Sequence, residues 1–363
     1  MSERMDLSVV ISTYNGATRL PDALNSVLNQ DADDLSYDVI VVDNNSRDAT
    51  RAVIESFVAR GFNQLRYVFE PRQGVSYGRN AGIALASAPI IAFFDDDVRV
   101  AGDWVRTIKR TLDEHPEVDF VGGRVLPTWQ APPPAWLTEA NWSPLALVDY
   151  GPTPLYVTAE RQLCLVSANL AVRRSLFDAV GLFAPELQRV KDSIGSMEDH
   201  ELLTRCWRAG KQGLYVPSLL ANTNVPANRM TKEYHRRWHR GHGVFCAMMR
   251  FIEDTDQNGR YIGKYSADES VTLFGVPAFL FRQIADEGRK WMLTSFRRQP
   301  ALAFRHENNM RFLVSYSGTR YRQERVRHTR SVVAEVRSFA TKLLRKKLRT
   351  APGGGQKRSA LIR

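Results

Sequence analysis

Residues 7–46 read LSVVISTYNGATRLPDALNSVLNQDADDLSYDVIVVDNNS, and this stretch decides the fold. Two runs rich in β-branched residues, LSVVIST (7–13) and YDVIVVDN (37–44), flank TRLPDALNSVLNQ (18–30), which carries a helical pattern. Strand, helix and strand in succession predict a βαβ unit with parallel strands. The alternation continues through DATRAVIESFVARG (48–61), LRYVFEP (65–71), GVSYGRNAGIALASA (74–88) and PIIAFFDDD (89–97). The expected class is therefore α/β, a mainly parallel twisted sheet covered by helices on both faces. Ligands of such sheets sit beyond the carboxyl ends of the strands. There the chain places STYN after the first strand, DNNS after the second and DDD after the fourth.

A chain of 363 residues with 44% hydrophobic and 25% charged residues reads as globular, large enough for one large domain or two ordinary ones. Cys164, Cys206 and Cys246 show no zinc spacing, and a reduced, cytoplasmic setting is the simplest expectation. The start, MSERMDLSVV, has no export pattern. The longest apolar run, LFGVPAFLF (273–281), is about half of what a bilayer-spanning helix needs. The net charge of +11 is localised: residues 320–363 hold 14 Lys/Arg against Glu324 and Glu335, so the remainder is close to neutral.

Residues 127–154 contain seven prolines and three tryptophans, Trp129, Trp136 and Trp142. A long ordered loop packed on the sheet, or a flexible lid, fits that texture. Strand and helix patterns return over 164–210, and beyond about residue 228 the pattern is mostly helical.

Five constellations could carry chemistry. Asp95, Asp96 and Asp97 follow a buried apolar run. If the strand stays extended through them, Asp95 and Asp97 point together and suit a hard divalent cation, while Asp96 faces away. An acidic turn or helix cap is the plain alternative. Asp43 either caps the following helix with Asn45 and Ser46 or accepts hydrogen bonds from a nucleotide. In GVSYGRNAG (74–82) the glycines permit close backbone approach, and a helix start near Arg79 would welcome a phosphate; an ordinary capped helix explains it as well. Glu198 and Asp199 stand at an apparent helix start, where a carboxylate can serve as general base or merely complete a cap with Ser196. YHRRWHRGHG (234–243) suits a diphosphate clamp or sugar platform better than zinc, with a solvated basic face as the alternative.

In order and spacing, VVISTYNGATRL, VVDNNSRDAT, GVSYGRNAGIALASAPIIAFFDDD, SANLAVRRSLFDAVGLFAPEL and EDHELLTRCWRAG resemble the family 2 glycosyltransferases, inverting enzymes of the Rossmann-like GT-A fold. The resemblance covers roughly residues 6–245. It implies a catalytic domain over 1–227, with a nucleotide-binding half (1–100) and an acceptor-side half (101–227). A helical extension (228–319), a basic amphipathic helix (320–350) and a disordered tail (351–363) are expected to follow. It implies that Thr13, Tyr14 and Asp43 hold the base and ribose, that Arg79 lies near the donor phosphates, and that Asp95 and Asp96 meet the donor. Asn169 would touch the sugar, although Ser167 stands where the family often has glycine. Asp95 and Asp97 would bind Mg2+ or Mn2+ on the diphosphate. Asp199 would be the catalytic base with Glu198 beside it. Arg237 and Trp238 would contact the diphosphate or the acceptor. Processive relatives carry QxxRW and membrane spans; this chain keeps only Arg237 and Trp238 of the motif, which argues for transfer of single sugars.

The donor implied is a nucleotide sugar, UDP-linked, and the acceptor a glycan or lipid-linked glycan of a surface polysaccharide. The basic residues 320–350 would then rest on the membrane surface, peripheral on the inner face. Nucleic acid is not expected, since the acidic strand ends would repel a polyanion. A sugar nucleotidyltransferase is the rival enzyme, but it wants a glycine-rich basic signature where this chain has STYNGATRL. A binding module that has lost catalysis is the rival outside enzymes, and the joint presence of Asp95, Asp97 and Asp199 argues against it.

Overall fold

The structure, a computed structural model, describes residues 5–188, 194–195, 197–253, 271–273, 276–327 and 339–342. The chain divides into two compact units, Met1–Trp238 and His239–Arg363. The first contains β1 (Leu7–Thr13), α1 (Leu20–Leu28), β2 (Tyr37–Asp43), α2 (Thr50–Ala59), β3 (Leu65–Phe69), α3 (Val75–Leu85), β4 (Ile90–Phe93) and β5 (Val98–Val100). It continues with α4 (Trp104–Glu114), β6 (Phe120–Trp129), β7 (Leu155–Val157), β8 (Leu170–Arg173), α5 (Ser175–Val180), α6 (Glu198–Arg208) and β9 (Gly213–Val225).

These nine strands form one sheet in the order β3-β2-β1-β4-β8-β6-β9-β5, with β7 also on β9. The parallel run expected from the sequence covers β3, β2, β1 and β4. Beyond β4 the sheet is mixed. β8 pairs antiparallel with both β4 and β6, β6 and β9 run parallel, and β5 and β7 join β9 antiparallel. The βαβ alternation that dictates parallel pairing ends at β4, and later strands return through irregular connections that allow either direction.

Alternate side chains of each central strand enter opposite cores, as a doubly covered sheet requires. Val9, Ile11, Val39 and Val41 pack with Leu24 of α1, Ile54 of α2 and Trp104 of α4. Val10, Ile40, Val42 and Phe93 pack on the other face with Ile83 of α3, Leu176 of α5 and Leu202 of α6. Each such side chain contributes roughly 1.5–3 kcal/mol of transfer free energy. The segment 127–154 is ordered in this unit: Trp129, Trp136 and Trp142 pack against the first core, beside short 3-10 turns at Glu139–Asn141 and Ser143–Leu145.

The division between the units falls inside α7 (Lys232–Glu253). The second unit also holds the short antiparallel pair β10 (Thr272–Leu273) and β11 (Val276–Pro277), then α8 (Ala278–Phe296) and α9 (Pro300–Arg327). Of the basic helix expected over 320–350, residues 320–327 are the end of α9 and 339–342 are helical, while the rest lies outside the described residues. The tail 351–363 lies outside them altogether. No helix among the described residues is long and apolar enough to cross a membrane.

Candidate functional site

The carboxyl ends of β1, β2 and β4 bring the polar loops together. Thr13 and Asp43 are register partners at the ends of β1 and β2. The loops behind them satisfy one another: Ser46 Oγ accepts from the Asn15 N–H, and Asn15 Oδ1 accepts from the Arg47 N–H. Asp43 is buried, and its two oxygens accept from the Ser46 N–H (2.9 Å) and the Tyr67 hydroxyl (3.1 Å). This closes a turn ahead of α2 and does not cap it, since the helix starts after Ala49 with no side-chain cap. Tyr14 is half-buried at the mouth of this loop, and its carbonyl accepts from Arg19 (3.3 Å).

The aspartate triplet departs from the extended geometry expected of it. β4 ends at Phe93, and a turn closed by the Val98 N–H on the Asp95 carbonyl (3.1 Å) carries the chain to β5, which pairs with β9 at the far edge. In a turn the alternation of strand side chains no longer holds, so each carboxylate takes its own direction. Asp96 is not the outward-facing member: it is buried, accepts from Thr13 Oγ1 at 2.6 Å, and receives Arg19 through both oxygens at 3.2 and 3.0 Å. Asp95 pairs with Arg79 (3.1 Å) and Asp97 with Arg229 (3.6 Å). Burial, with Asp96 and Asp95 nearby, pushes the Asp97 carboxyl up to about 6 against the opposing pull of Arg229 and Arg19.

Arg79 stands at the centre. Its side chain is 6% exposed, and its guanidinium meets Asp95 (3.1 Å), Glu198 (3.3 Å) and Asp199 (3.5 Å). Burial lowers the affinity of such a group for its proton; Asp199, Asp95 and Glu198 more than offset this and raise it. The Phe183 ring backs the guanidinium at 5.4 Å. The guanidinium is thus shared among three carboxylates. The glycines of 74–82 serve packing: a Cβ at Gly78 would sit 2.1 Å from Ser12 Oγ, and one at Gly82 would sit 2.3 Å from Val10 Cγ1. α3 consequently lies close on β1, which carries Arg79 to the strand ends.

Asp199 is in the first turn of α6, where acidic side chains suit the positive helix end. It accepts from the Ser167 N–H at 3.2 Å as well as from Arg79. Met197 precedes the helix without a side-chain cap, and Ser196, the other expected cap residue, lies outside the described residues. Cys164 is close enough that Asp199 and Glu198 add to the effect of burial, and its thiol is pushed up to about 12.

Asn169, expected to touch the sugar, is tied into the sheet. The ladder between β6 and β9 shifts register between Gly123 and Arg124, and Asn169 Nδ2 donates to the Arg124 and Leu219 carbonyls there, both at 2.8 Å. Its Oδ1 accepts from Trp104 Nε1 at 2.8 Å. Both amide hydrogens and one lone pair of Oδ1 are thus engaged. Arg237, exposed, and Trp238, half-buried, lie on the first half of α7. Arg19, Arg229 and Ser167 are the contributors that sequence reasoning missed. Ser167 was visible as a departure from glycine, but no local signal pairs Arg19 or Arg229 with aspartates so distant in the chain.

Five carboxylates, Asp95, Asp96, Asp97, Glu198 and Asp199, thus face three arginines, Arg19, Arg79 and Arg229. The excess negative charge and the raised Asp97 carboxyl fit a hard divalent cation with oxygen ligands. Among the described residues no three of His, Cys, Asp and Glu converge as a closed metal cage. Such a cation would therefore rely on ligand and water oxygens for much of its shell.

Residues 8–181 match the family described as Glycosyl transferase family 2. The chain is 31% identical over 137 residues to a glucosyl-dolichyl phosphate glucuronosyltransferase of Haloferax volcanii, covering 37% of this chain and 43% of that protein. It spans less than half the length of several such relatives. Among solved structures it is similar to the mannosyltransferase PcManGT of Pyrobaculum calidifontis in complex with GDP-Man and Mn2+. That match has a TM-score of 0.51 at 17% identity, covering 96% of this chain and 83% of that one. It is also similar to TarS 1-349 of S. aureus in complex with UDP-GlcNAc, with a TM-score of 0.50 at 18% identity, covering 88% and 92%. At such identities the structures show the fold, which is GT-A, with its mixed sheet flanked by helices. Over residues 8–181, just under half of its length, the chain is similar to glycosyl transferase family 2.

Proposed function

We propose that the protein is a metal-dependent, inverting glycosyltransferase that moves one sugar at a time from a nucleotide donor to a glycan or lipid-linked glycan acceptor. The observation that supports this best is the single guanidinium of Arg79 shared by Asp95 at the strand ends and Asp199 at the start of α6. Donor-side and acceptor-side carboxylates thereby lie on two sides of one small site. Asp199, held by the Ser167 N–H and Arg79, is the base that takes the acceptor hydroxyl's proton as that oxygen attacks the anomeric carbon. A single displacement from the opposite face inverts that carbon, so an α-linked donor gives a β-linkage.

Asp97 and Asp95 are the residues that would hold Mg2+ or Mn2+. The ion would supply charge stabilisation for the departing nucleoside diphosphate without proton transfer. Thr13, Tyr14 and Asp43 line the strand ends where the nucleoside would lie. Relatives of the same fold hold UDP-GlcNAc or GDP-Man, with Mn2+ in the second case, so UDP-sugars with Mn2+ are the first donors to test. The name of the Haloferax relative, with its dolichyl phosphate substrate, supports a lipid-linked acceptor.

Product analysis with wild type, Asp199→Asn and Asp97→Ala on a panel of nucleotide sugars tests this reading. Wild type should release nucleoside diphosphate and form a product of inverted anomeric configuration, and both variants should be folded and nearly inactive. Fully active variants would sink the mechanism.

A further inference from the structure

The second unit contains a feature that the transferase reading does not use. The last two turns of α8 and the first turn of α9 expose Trp291, Met292, Leu293, Phe296 and Leu302, with Met292 61% and Phe296 90% exposed. Isolated exposed apolar residues are ordinary; five within twelve positions, two of them large aromatics, mark an interaction surface. Arg297 and Arg298 stand at the turn itself, both exposed and making no ion pair among the described residues. Backbone hydrogen bonds from Arg297 to Leu293, Arg298 to Ser295 and Gln299 to Thr294 close the helix end, so the tip is built rather than frayed.

Charge selects the occupant. Over α8 and the start of α9, residues 278–305 hold six Lys/Arg against Asp286 and Glu287, a net of +4. A second copy of the same surface would be repelled, and a polyanion alone leaves the exposed Phe296 and Met292 unexplained. Aromatic and aliphatic residues interleaved with unpaired arginines are what the headgroup region of an anionic bilayer accepts. We propose that the α8–α9 tip docks on an anionic lipid surface, with Phe296 and Met292 entering the headgroup boundary and Arg297 and Arg298 meeting lipid phosphates. This surface is separate from the basic residues expected to bind membrane at the C-terminus, and it stands whether or not the site in the first unit transfers sugars.

The test uses the full chain with vesicles of phosphatidylglycerol and phosphatidylcholine, and reads hydrogen exchange peptide by peptide. Exchange over 291–302 should slow on these vesicles but not on phosphatidylcholine alone. Met292→Ser with Phe296→Ser should abolish that protection while leaving the far-ultraviolet spectrum and melting temperature unchanged. Arg297→Gln with Arg298→Gln should weaken vesicle partitioning by roughly thirty-fold at low salt. A chain that fails to bind vesicles, or binds them while 291–302 exchanges as in free protein, overturns the proposal. Protection of 291–302 by self-association without lipid, or by duplex DNA in preference to vesicles, overturns it too.

Discussion

Asp95 and Asp199 share one guanidinium: Arg79 reaches the first at 3.1 Å and the second at 3.5 Å. The pairing joins the end of a central strand to the start of a helix far along the chain, and it holds the acidic site together. Replacing Arg79 by Met would leave three carboxylates facing one another without compensation, a change that typically costs several kcal/mol at a buried site. We expect the melting temperature to fall and kcat/KM to drop by about two orders of magnitude or more. Arg79→Lys should restore part of the stability but not the shared geometry, since an ammonium cannot fork to three acceptors in a plane. Unchanged melting temperature and kcat/KM in Arg79→Met would contradict this role.

Gly78→Ala and Gly82→Ala test the approach of α3 to β1. The added methyl would meet Ser12 Oγ at 2.1 Å or Val10 Cγ1 at 2.3 Å, distances that force the helix away. Each change should cost about 1–3 kcal/mol in denaturant unfolding. Gly78→Ala, one position from Arg79, should also lower activity more than its stability loss explains. Gly61→Ala is the control for space, having nothing within 4 Å of its Cβ, though its φ of +98° leaves backbone strain.

Metal binding should be linked to protons through Asp97. Its carboxyl titrates at about 6 without a cation, because burial and the neighbouring aspartates disfavour its charge. A divalent ion must displace that proton, so the affinity for Mn2+ should rise as pH increases from 5 to 7 and then level off. Titration by calorimetry, with and without nucleotide, reads this directly, and Asp97→Asn should remove most of the pH dependence.

His235 gives a stability prediction independent of catalysis. It is buried on α7 with its ring edge-on to Trp136 at 4.9 Å, and burial pushes it down to about 4 from an ordinary 6.5. The unfolded chain therefore takes up a proton first, so stability falls as pH drops from 6.5 toward 4 and levels off below. The loss attributable to this group is at most on the order of 3 kcal/mol. In His235→Phe, urea midpoints measured across that interval should decline less steeply than in wild type.

The parts of the molecule legible in the sequence are those whose cause is local. The runs 7–13, 37–43 and 90–93 are strands because β-branched residues cluster there, and Leu24, Ile54 and Ile83 mark helix faces at helical spacing. Crowding acidic and hydroxyl residues at strand ends pointed to a ligand edge for the same local reason. The neighbours of Asn169 in sequence say nothing of the bulge between Gly123 and Arg124, where the carbonyls of Arg124 and Leu219 take its amide hydrogens.

By itself, then, the sequence determined the βαβ frame, the residues at its ligand edge and the basic excess toward the C-terminus. Only the tertiary structure decided the partners: Thr13 and Arg19 on Asp96, Arg229 on Asp97, and Arg79 among Asp95, Glu198 and Asp199. Periodicity and propensity are properties of neighbouring residues. Ion pairing depends on which strand ends and helix starts the folded sheet brings within 4 Å, and no local pattern encodes that distance.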